Sequence, residues 1–161
     1  MVVESIKKIN MERTLKITPP EGYEIDREKS TLDNIVFKEI EKTIIKWNSI
    51  FRGVEIIEKG EHFILDAQSP SFCCSWNDAI RLCTDSIWKL PTAKQLLIIA
   101  RHTQEINKII EKNEGYEIRG YLWGDTETSE DMAYGAFSEC MWHTHRNKDC
   151  LGLVRKVKTL K

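Results

Sequence analysis

The run Leu90-Pro91-Thr92, with Gln95 three residues beyond the threonine, constrains this chain more than any other stretch. Pro91 has no amide hydrogen and a fixed φ, so an extended piece ending at Leu90 cannot run on through it. Thr92 and Gln95 have the form of a capping box, in which the hydroxyl takes the third amide and the glutamine side chain reaches back to the cap. Beyond the box, Leu96, Leu97, Ile99, Ala100, Ile106, Ile109 and Ile110 recur at spacings of three and four. That period predicts a long helix with one apolar stripe, and such a stripe must be covered by another layer. Extended, tryptophan-bearing pieces stand on both sides: Trp88-Lys89-Leu90 before the helix, and Tyr121-Leu122-Trp123 after Gly115 and Gly120. The expectation is a compact α+β core and not a nucleotide cleft.

The chain has 161 residues, enough for one domain with a real core and an appendage. Its 24 basic and 25 acidic residues leave a net charge of −1, which gives no electrostatic case for nucleic acid or an anionic membrane as partner. No apolar run approaches the roughly 20 residues that a membrane helix needs. Lys7 and Lys8 are followed by no apolar block, so no signal peptide is expected and synthesis is placed in the cytoplasm. Five cysteines, an odd number, argue against a complete disulfide framework. Cys73, Cys74, Cys83, Cys140 and Cys150 are read as mainly reduced, and most of them as small core residues.

Two regions follow from the order of patterns. Residues 1–50 read as an N-terminal arm and docking flap. In it Leu15–Thr18 and Asn34–Lys38 are strand-like, Pro19-Pro20-Glu21-Gly22-Tyr23 is a turn, and Glu39–Ile50 is a short helix or linker anchored by Trp47. Two short strands alone are marginal in water, so the flap needs a surface to lie on. Residues 51–161 read as the main domain. Val54–Ile57 and His62–Asp66 around Lys59-Gly60 form a hairpin, and Ser75 caps a helix through Asp78 with Trp76, Ala79, Ile80 and Cys83 inward. Gly124–Asp131 is a polar loop, Met132–Phe137 a strand, Glu139–Asp149 a turn or irregular hairpin end, and Leu151–Val157 a final strand.

Three groups carry candidate chemistry. Asp125, Glu127, Glu130 and Asp131 crowd one loop, and a hard cation such as calcium takes several oxygens from such a loop; a solvated loop is the default reading. Cys140, His143, His145 and Cys150 are zinc-type donors at a spacing that matches no standard finger. His143 and His145, if on a strand, share one face. Tyr134, Trp142, His143, His145 and Arg146 are of the aromatic and arginine types that dominate interface hot spots, and they form the candidate binding face. Trp76-Asn77-Asp78 is read as a cap with a buried tryptophan. No phosphate-binding glycine loop or Ser-His-Asp order is present, and no cofactor is expected.

From Gly53 to Val157 the order of marks resembles the C-type-lectin-like domains typified by the C-terminal domain of bacterial collagen-like adhesins, relatives of the formylglycine-generating-enzyme group. The marks are the Gly53–Asp66 hairpin, Ser75–Cys83, Trp88–Thr92, Tyr121–Glu127, Ala133-Tyr134 before Phe137, and Val154-Arg155-Lys156-Val157. The resemblance implies two helices packed on short antiparallel sheets. Lys156 stands where the family often has a cysteine, and the resemblance then offers Cys83–Cys150 as a substitute bridge. Leu15–Phe37 is similar to a leader seen in gut Bacteroidota and their phages. A non-enzymatic recognition or assembly module follows as the expectation, docking or self-associating through residues 1–50 and meeting a glycan or host surface protein through the loops after Gly124, with a phage virion as a home. A metal- or thiol-dependent enzyme using the Cys140–Cys150 region and a purely structural subunit are the alternatives.

Overall fold

A computed structural model describes residues 18–21, 23–31, 35–39, 42–84, 86–138 and 143–160. The chain forms two compact units, Met1–Ile40 and Glu41–Lys161.

In the first unit β1 (Tyr23–Ile25) pairs antiparallel with β2 (Phe37–Glu39), Tyr23 opposite Glu39 and Ile25 opposite Phe37. The buried Asp26 organises the connection. Its carboxylate accepts the amides of Glu28 and Lys29, while its own amide donates to the Val36 carbonyl. The pairing partner of the expected Asn34–Lys38 strand is therefore Tyr23–Ile25, and the strand expected at Leu15–Thr18 falls on positions of which 15–17 lie outside the described residues.

The second unit opens with β3 (Ile44–Asn48), β4 (Gly53–Glu58) and β5 (Glu61–Asp66). In place of the expected short helix or linker there is a strand: Ile44 to Asn48 are in register with Ile57 to Gly53, and these five residues belong to the larger unit. Lys59 and Gly60 both have positive φ (49° and 78°), the geometry of a two-residue hairpin turn whose twist matches its strands. After β6 (Phe72–Cys74) come the short α1 (Trp76–Arg81) and the long α2 (Ala93–Lys112). Both helix starts follow their caps: Ser75 accepts the Asp78 amide, and Thr92 and Gln95 complete the reciprocal box. Then follow β7 (Tyr121–Glu127), β8 (Met132–Phe137), β9 (His143–Asn147), β10 (Gly152–Val154) and β11 (Val157–Thr159).

Two sheets result, one in the order β11-β5-β4-β3 and one in the order β6-β10-β7-β8-β9. The helix α2 touches β3 and β4 of the first and β7 and β8 of the second. That double contact explains why its buried face is wider than the sequence stripe and takes in Gln95, Ile98 and Thr103. The principal core joins Val54, Ile56, Phe63 and Leu65 to Leu96, Ile99, Ile106 and Ile110, and to Leu122 and Ala136. On the other face of the five-stranded sheet, Tyr121, Trp123, Ala133 and Val154 pack with Trp76, Ala79, Cys83 and Leu90. The strands are not all antiparallel, since β10 runs parallel to β7 with Leu153 opposite Leu122.

The expected single strand Leu151–Val157 is two strands in two different sheets. Arg155, 1% exposed, stands at the crossing. Its guanidinium donates to the carbonyls of Asp66, Ser69, Tyr116 and Glu117 and to Ser71 Oγ, at 2.8–3.3 Å. Burial pushes its pKa below the ordinary arginine value, and Asp66 offsets part of that. One buried cation thus ties the loop after β5 and the loop before β7 to the crossing between sheets.

Candidate functional site

The candidate face is built on β8 and β9. His-Thr-His-Arg-Asn carries no apolar alternation, yet it is a strand, because Met132 to Ala136 of β8 pair in register with Asn147 to His143. Alternation then sorts the side chains. His143 and His145 fall on the side of Tyr134, with ring centroids 5.7 and 5.8 Å from the tyrosine ring. Tyr134 is half-buried against the principal core, and this burial pushes its phenol up from the ordinary value. Both histidines are exposed. The three rings lie together across β8 and its neighbour β9, the last strand of the sheet.

Arg146 is not part of that surface. It turns to the opposite side of β9, with its guanidinium 4.5 Å from the Tyr121 ring centroid and 5.8 Å from that of Phe137. Tyr121 also meets Trp123 and Phe137 edge to face, and burial raises its phenol to about 12. Trp142 and Cys140 lie outside the described residues. Of the expected binding residues, then, Tyr134, His143 and His145 come together and Arg146 stands apart from them.

The four carboxylates after Gly124 do not converge. Asp125 and Glu127 are within β7, and the connection to β8 is only residues 128–131. A lysine ammonium stands where a cation would sit: Lys148, 7% exposed, pairs with the Glu127 carboxylate and donates to the Glu130 carbonyl at 2.6 Å. Its main-chain amide bonds the Asp131 carbonyl, and its Nζ lies 5.0 Å from the Trp76 ring centroid. Asp125 accepts the neighbouring Thr126 hydroxyl. Among the described residues no three His, Cys, Asp or Glu side chains gather into a group able to hold a metal. Cys83 is buried and Cys150 exposed, and both are free thiols, so the substitute bridge is not formed. Burial raises the thiols of Cys83 and Cys74, which disfavours the reactive thiolate there.

Two histidine–carboxylate pairs have no signal in the sequence. Glu55 accepts His62 Nε2 at 2.8 Å and Asn48 Nδ2 at 3.1 Å, and these bonds hold its carboxyl below the ordinary value. Glu58, 4% exposed, is held by Arg101 and by His102 Nε2 at 2.7 Å. That second pair sits beneath a shallow depression of about 380 Å³ bordered by Arg101, His102, Glu105 and Lys108. Glu58 and His102 are 44 residues apart, so only the packing of α2 on β4 makes the pair.

Among the described residues no helix is long and apolar enough to cross a membrane. No protein-family model and no curated protein sequence matches this chain.

Proposed function

We propose that this chain is a non-enzymatic recognition or assembly module of C-type-lectin-like architecture that binds a protein or glycan partner through the β8–β9 surface. The observation that carries the reading is the gathering of Tyr134, His143 and His145 on an exposed strand face, backed by the principal core. Aromatic rings already held in place lose little freedom on binding, and they offer flat apolar area with polar edges, which suits both a sugar ring and a protein surface. The order of elements supports the architecture: β5, before the helices, and β11, at the end, are antiparallel neighbours, while β7 to β9 build the second sheet between them. The N-terminal unit serves docking or self-association, and a phage particle is the home that the leader resemblance suggests.

The test is a glycan array and a host-surface-protein array probed with the full chain and with a Tyr134→Ala/His145→Ala variant of unchanged far-UV circular dichroism. Binding to members of one array, weakened at least tenfold in the variant, is the expected result. No binding on either array, or binding that the variant retains, removes the reading.

A further inference from the structure

We propose that the trough between β3 and α2 is a second binding site, which takes an extended acidic peptide segment as an added strand on β3. The strand β3 ends its sheet, and among the described residues it is paired on one side only, with β4. A free edge presents unpaired amide and carbonyl groups in the pattern that another strand needs. Beside this edge lies a depression of about 510 Å³ between β3 and the last turns of α2. Its apolar surface comes from Ile45, Trp47 and Ile109, all half-buried against the principal core and therefore fixed.

Charge selects the occupant. The charged residues that line the trough are Lys46, Lys108 and Lys112, and no carboxylate lines it, although the chain as a whole is slightly acidic. Lys46 leans toward Glu55 at 3.6 Å, so the two α2 lysines carry most of the field. They stand one helical turn apart on the same side of α2, and among the described residues neither has a carboxylate partner.

Geometry selects the backbone. A strand added to β3 lies about 4.8 Å away and sends alternate side chains toward α2, into the trough. The occupant thus has apolar side chains at every second position, acidic residues among or beside them, and a paired length of about five residues, matching β3. Protection of the edge against aggregation accounts for Lys46 alone; it does not require Lys108, Lys112 or an open wall containing Trp47.

The experiment pans a display library of random decapeptides against the full chain and measures the selected peptides as synthetic, fluorescently labelled probes. The expected result is enrichment of sequences with alternating apolar positions and at least two Asp or Glu. Lys108→Glu/Lys112→Glu should weaken their binding at least tenfold, and N-methylation at alternate peptide amides should do the same. Tyr134→Ala/His145→Ala should leave binding unchanged, which keeps this site separate from the β8–β9 surface. Absence of enrichment, enriched peptides without acidic residues, or equal binding by the lysine variant overturns the proposal. Sedimentation showing a wild-type dimer that the lysine variant loses assigns the trough to a second copy and likewise overturns it.

Discussion

Replacing the buried Arg155 by methionine should loosen the crossing between the two sheets. The substitution keeps much of the apolar volume and removes every donor. Four carbonyls and one hydroxyl then lose the guanidinium that now bonds them. A buried acceptor left unpaired costs about 1–3 kcal/mol, but carbonyls in loops regain water by small movements, so only part of that sum is felt. Opposing it is the relief of a buried cation, whose desolvation is visible in its lowered pKa. The net expectation is a loss of about 3 kcal/mol, a large share of the 5–15 kcal/mol typical of a domain. Urea unfolding followed by tryptophan fluorescence should show it: with an m-value of about 2 kcal/mol/M, the midpoint falls by about 1.5 M. Hydrogen exchange should quicken first around Ser69–Ser71 and Tyr116–Glu117, the segments that the side chain ties. Arg155→Lys, with fewer donors and no planar fork, should fall between the two. A methionine variant within about 0.5 kcal/mol of wild type, in the range of an ordinary surface change, would refute the reasoning.

Gly135→Ala should cost about 1–3 kcal/mol, because the added methyl overlaps the Tyr121 ring and meets the Leu122 carbonyl at 2.5 Å, while both are fixed in the sheet; chemical denaturation measures it, and Gly60→Ala, in open space but at φ 78°, serves as a backbone-only comparison. Glu55 has a folded pKa below its ordinary 4.5, so it contributes stability above that value and loses it as pH falls through the folded pKa. Glu55→Gln should therefore flatten the acid limb of a melting-temperature-against-pH curve below about pH 4.5, and an unchanged limb contradicts the assignment. Tyr121 is raised to about 12, so the unfolded chain releases this proton first and stability falls as pH rises from about 10 to 12. Of the four tyrosines, Tyr134 should ionise above the ordinary value and Tyr121 last of all in an absorbance titration at alkaline pH, and Tyr121→Phe should remove that last step.

What the sequence disclosed depended on how local each cause was. The helix α2 was legible because its cap and its period lie within one segment, and the Lys59-Gly60 hairpin because turn and strands are contiguous. Strand β3 was obscured by its lysine and asparagine, and it is a strand because β4 offers it a register. Strand β9 shows no apolar alternation at all; its ladder to β8 and the stacking of Arg146 on Tyr121 and Phe137 hold it. The division of the last segment into β10 and β11 rests on Arg155, whose bonded partners lie 38 to 89 residues away. For the site, residue types pointed to Tyr134, His143 and His145, but only strand parity could separate Arg146 from them. In the acidic loop the cation beside Glu127 is Lys148, 21 residues further on, and nothing within the loop itself signals that pairing.

The most direct test of the account follows backbone amide shifts of the nitrogen-15-labelled full chain while the strongest array ligand is added. Changes should concentrate in Met132–Phe137 and His143–Asn147, with the largest beside Tyr134, His143 and His145. Changes confined to other elements, with β8 and β9 unmoved at saturation, would contradict it.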